Sequence, residues 1–500
     1  MKKITKANLI ILLVSVSILV NSFAKEKRVL KGNMTLKYNV LPRSAKTLEE
    51  IFTKGKFYGR LRVNTFKFDW DKEYPNKTKD NWAVGIGGSL IFKSAYFKGF
   101  GATFGLYTTQ NPWHMDAKDV KFVKAGKDTF SRYKVITGDG FGMTVLSQAY
   151  IEYKRDETSL KIGRQIFESF LTKSNDTKMI PNTFEGYSLT TKYFPKTTIK
   201  AAYFTKQKLR DHKNFHDVIT FGIDKNSNGV IDGSEEKWAN NDDSAVHQGL
   251  SYINLKNAGK DTHNNLIVFE AANNSIDNLR LKANYTGVPE LLHSLTGEIY
   301  YTIKRGDLKI IPGIRYMRQF DDGAGAIGGA NLKCKTDGYK DPNSLDSWLF
   351  ATRVDIKSSG LWKFRVGYSK IADKGDIVAP WRGFPTGGYT RAMGQYNWYA
   401  NTKTYMVRFD YDFDKARIVS GLKGLIRYAV QDFDDKKPGV QADSNIVHID
   451  LIEKFTSFPG LYAKLRLGFV AGDDNTIDIN GNRKNDPSYN EYRLEINYLF

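Results

Sequence analysis

The 500-residue chain has one cysteine, Cys334, so no disulfide can form within it. Its seven histidines form no H-E-x-x-H pair, and no G-x-S-x-G is present, so neither zinc-hydrolase nor serine-hydrolase chemistry is legible and the chain reads as a non-enzyme. Long apolar runs are missing beyond the first two dozen residues. The one such run, Leu9–Val20, is interrupted by Ser15 and Ser17. It is shorter than the roughly 20 residues that a membrane-crossing helix needs. Lys2, Lys3 and Lys6 precede it and Ser22-Phe23-Ala24 follows, which reads as a signal peptide over 1–24 with Lys25 as the mature start. Acids are scarce: 54 Asp and Glu against 75 Lys and Arg give +21, and loss of the leader's three lysines leaves +18. Such an excess commonly marks a nucleic-acid partner, which export excludes.

What the chain has in quantity is aromatic residues (13%, with 28 Tyr and 31 Phe) and 43 glycines against only 13 prolines. A transmembrane barrel hides its apolar residues at every second position, so the lack of apolar runs does not argue against one. In EYRLEINYLF, Tyr492, Leu494, Ile496, Tyr498 and Phe500 share one face, while Arg493, Glu495 and Asn497 share the other. The same period of two recurs at 57–64, 348–357, 362–368, 405–413 and 461–469. Short connections (94–99, 154–159, 194–197, 304–307, 457–460) alternate with long ones near 110–141, 168–183, 208–263, 321–346, 373–402 and 473–489. The expected fold is all-β: a transmembrane antiparallel barrel of about 18 strands with short periplasmic turns and long extracellular loops. It should lie in a Gram-negative outer membrane, with lipid and the barrel-assembly machinery as partners. The barrel should occupy 56–500, behind a periplasmic segment at 25–55 that carries a short helix near Ser44–Lys54. Residues 246–290 are the least determined, since GLSYINL fits a strand or a loop.

Parity then becomes a statement about solvent. Arg or Lys facing mid-bilayer lipid costs about 2–4 kcal/mol, so the cationic face of each strand must be the inner one. This gives a basic lumen of Arg60, Arg62, Arg280, Lys282, Arg315, Arg353, Lys363, Arg365, Arg408, Arg427, Lys464, Arg466 and Arg493. Glu298, Asp355, Asp410, Asp412, Asp450 and Glu495 share those faces. Buried unpaired charge is prohibitive, so the lumen should be wet. Excess guanidinium should concentrate carboxylates, while pairing with the acids would build a rigid wall network; both uses stay open.

GKFYGRLRVNTF (55–66), GGSLIFKSAYFKGFGATFGLYTT (87–109), GRQIFESFLTKSNDTKMIPNTFEG (163–186), WRGFPTGGYTRAMGQYNWYANTKTY (381–405) and GLKGLIRYAVQDFDD (421–435) together carry a family likeness. From about Ser44 to Phe500 the chain resembles the OprD family of outer-membrane porins, in an epsilonproteobacterial-type branch. The resemblance implies a monomeric 18-stranded barrel that passes small hydrophilic solutes. It also implies an inward third loop at about 168–183, with Asp176, Lys178 and Met179 as constriction residues, and a basic ladder that guides carboxylates. The family often has Arg where Lys178 stands, and lysine offers only a point charge.

DKNSNGVIDGSE (224–235) matches a calcium loop in full: Asp224, Asn226 and Asn228, the Val230 carbonyl, Asp232 and the bidentate Glu235, with Gly229 at the turn. Flanking helices are missing, so the expectation is a structural Ca2+ in an extracellular loop. It opens the alternative of an adhesin or receptor barrel displaying calcium-stiffened loops.

Overall fold

A strand in hydrocarbon can leave no backbone N–H or C=O unpaired, so a sheet crossing lipid must close on itself. In the computed structural model, which describes residues 28–123, 129–222, 248–393 and 396–500, it does so with 18 antiparallel strands. The first six are β1 (Lys56–Trp70), β2 (Asn81–Lys93), β3 (Phe100–His114), β4 (Met143–Arg155), β5 (Thr158–Gln165) and β6 (Thr183–Thr191). Next come β7 (Thr197–Lys208), β8 (Leu266–Asn273), β9 (Leu279–Val288), β10 (Leu292–Tyr301), β11 (Leu308–Asp321) and β12 (Ser347–Ser358). The circuit ends with β13 (Trp362–Ile371), β14 (Lys403–Asp412), β15 (Leu422–Asp432), β16 (Ser444–Lys454), β17 (Leu461–Gly472) and β18 (Tyr489–Leu499). Each strand pairs with its sequence neighbour, and β18 pairs with β1 to shut the wall. At that seam Gly59 and Phe500 exchange backbone hydrogen bonds of 3.0 and 3.1 Å. The Phe500 ring lies where a side chain at Gly59 would stand, 2.2 Å from an added Cβ, so any other residue there would displace the ring.

Alternation decides which way each residue looks. Leu61, Phe364, Val366, Val407, Phe409, Leu465 and Leu494 are exposed on the outside, while their neighbours Arg60, Arg62, Arg365 and Lys464 are buried within. Connections at one end of the barrel are short, as at 156–157 and 359–361, and those at the other are mostly long, as at 115–142, 209–265 and 372–402. These are termed the turn end and the loop end. One loop-end link, 289–291, is as short as a turn. Within 246–290 the ambiguity resolves into a helix at Tyr252–Asn257 and strands only from Leu266.

Two features depart from the expectations. The wet lumen is corrected at one end: at the loop end of β6 to β13 the inner face is apolar, with Phe184, Phe204, Leu266, Val268, Met317, Leu349 and Ile371 buried. Loop residues Leu171, Val218, Leu250, Ile377, Trp381 and Trp398 pack onto them. Charge parity cannot register this, because an apolar residue is compatible with both faces. The purely periplasmic position of 25–55 is corrected too. The helix is shorter than expected, Leu48–Thr53. Residues 29–37 form a small hairpin that lies against the inner face of β1. The Met34 carbonyl accepts from Arg60 Nη2 at 2.9 Å, Tyr58 Oη bonds the backbone of Val40, and Gln148 Nε2 donates to Tyr38 Oη at 3.1 Å. Deleting residues 29–37 is expected to raise single-channel conductance in planar bilayers, since the hairpin occupies lumen cross-section; unchanged conductance would place the hairpin outside the ion path.

Candidate functional site

The segment between β5 and β6 turns inward because two arginines on β1 hold its tip. Arg60 and Arg62 each donate to Asp176, at 2.8 Å in both cases, and Arg62 also reaches Glu495 on β18 at 2.8 Å. All four side chains are nearly inaccessible. A buried ion pair survives only when its geometry is good and its remaining protons are satisfied. Here Asn497, Met34 and the Asp176 carbonyl take further guanidinium hydrogens. Lys178 is buried and donates to Asn64 Oδ1 at 3.1 Å, and Met179 is fully buried among Ile180, Tyr107 and neighbouring apolar groups.

A second infolded segment, 372–402, meets the first. Thr172 and Arg382 form a backbone bridge, Lys173 N–H donates to the Trp381 carbonyl, and Gly383 N–H donates to the Leu171 carbonyl. The stretch 385–391 then turns its carbonyls onto the wall. Arg315 donates to the carbonyls of Pro385 and Gly387 at 2.6 and 3.0 Å. Arg353 and Arg365 both donate to Gly388, and Arg427 donates to Arg391 at 2.7 Å. The loop is thereby fixed above the cations rather than covering them at random.

Below and beside it the wall is strongly basic. Arg365 of β13 sits directly opposite Arg408 of β14, Arg408 opposite Arg427 of β15, and Arg466 of β17 opposite Arg493 of β18. Carboxylates offset part of this charge. Arg365 pairs with Asp355 at 2.5 and 2.9 Å, Arg466 with Asp450 at 2.7 and 2.9 Å, Arg408 with Asp410, Arg493 with Glu491, and Arg315 with Glu298. Lys464 meets Asp450 at 3.1 Å, Lys363 meets Asp410 at 2.9 Å, and Lys282 meets Glu298 at 3.3 Å. Arg353 approaches Asp355 only at 3.7 Å. Arg427 and Arg280 have no carboxylate partner among the described residues, Arg280 being exposed near the turn end. A cavity of about 1040 Å³ opens on the turn-end side, between the hairpin tip Gly32–Asn33 and a wall that includes Lys309, Lys357, Lys363 and Lys423.

Lys423, His448 and Glu491 share the inner parity of Arg427, Asp450 and Arg493, so strand parity alone is enough to place them. The carbonyls of 385–391 and the hairpin carbonyl at Met34 carry no sequence signal, since every residue has one. His216 lies in the segment after β7, with His212 Nδ1 2.8 Å from its Nε2. Burial pushes its pKa down to about 3, so it is neutral at ordinary pH and adds no charge to the lumen. The calcium-type loop, with Asp224, Asn226, Asn228, Val230, Asp232 and Glu235, lies outside the described residues, as does the leader 1–24. Among the described residues no three His, Cys, Asp or Glu side chains converge as a metal site.

Known proteins share this architecture. The family profile "outer membrane porin, OprD family" matches residues 147–247. The crystal structure of Acinetobacter baumannii OccAB3 superposes with a TM-score of 0.63 at 16% identity, covering 90% of this chain and 99% of that one. Pseudomonas aeruginosa OccK9 (OpdG) gives 0.65 at 15% identity with the same coverage. Pseudomonas aeruginosa OpdK, solved with vanillate, gives 0.62 at 16% identity, again over 90% and 99% of the two chains. No curated protein sequence matches. The fold is that of the outer-membrane porin barrels.

Proposed function

We propose that this chain is an outer-membrane porin of the OprD type, a monomeric channel rather than an enzyme, through which small hydrophilic solutes diffuse with carboxylates favoured. The resemblance over about 44–500 is the support for an epsilonproteobacterial-type branch. The turn end faces the periplasm in this reading, and the loop end faces the exterior.

One observation carries the anionic preference. Three pairs of arginines stand directly opposite one another on the inner face. Like charges in that position destabilise a sheet, so a wall needing only rigidity would alternate sign. The acids present neutralise several arginines but leave Arg427 and most of Arg353 uncompensated. Guanidinium binds carboxylate through two parallel hydrogen bonds, so this row offers a moving carboxylate successive partners. Vanillate, held by the similar OpdK, is itself an aromatic carboxylate. Asp176, Lys178 and Met179 set the width by fixing the inward loop, while the arginine row sets the sign.

Liposome-swelling rates test the proposal. Carboxylates should enter faster than amines of equal size; rates ordered by size alone would remove the charge preference, and no swelling would remove the channel. For residues 224–235 the reading is a structural calcium loop outside the barrel, with a dissociation constant of about 10⁻⁴–10⁻³ M. Calorimetry on the purified barrel should give calcium heat that vanishes in Asp224→Ala/Glu235→Ala. Equal heat in both proteins, or none in either, would contradict it.

A further inference from the structure

The outer wall carries a groove that the channel does not use. Across β12 to β15, small or β-branched outward residues (Thr352, Val354, Val366, Val407, Val430) line an apolar depression of about 380 Å³. Tyr368 and Tyr405, with ring centroids 5.0 Å apart, and Tyr428 form its walls. A flat lipid-facing surface needs no such recess. At its loop-end head Lys370 of β13 and Lys403 of β14 are directly opposed in register, both on the outward parity. Their Cβ atoms are therefore about 5 Å apart, where like charges repel.

The neighbouring acids offset only part of this charge. Lys403 bonds Asp432 at 2.9 Å, and Arg318, two strands away on β11, meets Asp346 at 3.5 Å. Lys370 has no carboxylate within 4.0 Å among the described residues. Arg318 lies about 10 Å along the wall, twice the strand spacing, beside Phe320 and Trp348. An acyl-sized groove headed by cations matches an amphiphile with apolar chains and a phosphorylated headgroup.

We propose that Lys370, Lys403 and the Val366–Val407 groove bind a phosphorylated glycolipid of the outer leaflet, with Arg318 placed for a second phosphate. This rests on the porin reading for its orientation, because only then does the loop end meet that leaflet. Arg365 and Arg408 serve the lumen from the opposite face of the same strands, so the lipid site and the channel can be altered separately.

The test uses the full-length barrel in non-ionic detergent and fluorescently labelled bis-phosphorylated lipid A, its dephosphorylated form, and phosphatidylglycerol. Binding of the bis-phosphorylated lipid should exceed that of the other two by about tenfold or more. Lys370→Gln/Lys403→Gln should abolish the excess, and Val366→Trp, which fills the groove, should weaken all binding while leaving both lysines in place. Single-channel conductance should be the same in wild type and variants, so loss of lipid binding is separated from loss of the pore. Equal binding of the dephosphorylated lipid, equal binding of phosphatidylglycerol, or undiminished excess in the lysine variant would each overturn the proposal.

Discussion

Replacing Arg365 and Arg408 by alanine should cut the anion preference of the channel sharply, seen as a fall in the zero-current potential across a salt gradient. Each substitution removes a cation and exposes its partner: Asp355 loses its bidentate contact and Asp410 loses Arg408. For two charges about 7 Å from a passing ion, in water, Coulomb's law gives about 1.2 kcal/mol, or roughly eightfold in anion occupancy. Release of the two carboxylates adds to this in the same direction. High salt should shrink the effect, because the screening length falls from about 10 Å at 0.1 M to 3 Å at 1 M. As a comparison, removing Arg280 near the turn end should change selectivity little, since it stands apart from the opposed row. A potential that does not move in the double variant would show that these side chains do not face the ion path.

The second large effect concerns stability of the constriction. Asp176→Ala leaves Arg60 and Arg62 buried with Glu495 as their remaining carboxylate, at 3.7 and 2.8 Å. Breaking a buried pair from one side typically costs 3–5 kcal/mol, because the abandoned charge stays desolvated. Lys178 on Asn64, and Lys200, Lys208 and Arg210 on the carbonyls of Glu168, Pro181 and Asn175, still hold the rest of the segment, so that cost should appear as loosening of its tip. Recordings should show larger and noisier openings, and limited proteolysis should cut within 166–182. Asp139, whose side chain is largely exposed, provides the control: Asp139→Ala should change neither. A quiet, wild-type channel from Asp176→Ala would mean that the backbone bridge between Thr172 and Arg382 and the cations on the loop carbonyls hold the loop without the Asp176 pairs.

The barrel was legible because lipid imposes a rule on every second residue. Strands such as 362–371 and 403–412 declare their faces through Lys363, Arg365 and Arg408 on one parity and Phe364, Val366 and Val407 on the other. Where charge was absent the rule fell silent. Phe184, Phe204 and Leu266 point inward beneath the loops, and nothing in their chemistry separates a packed lumen from lipid. The hairpin at 29–37 was missed for a related reason: its anchors are the Met34 carbonyl and the Tyr38 and Tyr58 hydroxyls, groups that fit a periplasmic segment equally well. The inward loop could be located from motif likeness. The ring of carbonyls at 385–391 depends on backbone path alone, and only the fold reveals it.

The most direct measurement is the wild-type zero-current potential in planar bilayers under a tenfold gradient of potassium chloride. A basic lumen predicts discrete conductance steps with a reversal potential on the chloride side, diminishing as ionic strength rises. A cation-selective or unselective reversal potential would contradict the basic ladder, and a membrane that stays silent would contradict the channel itself.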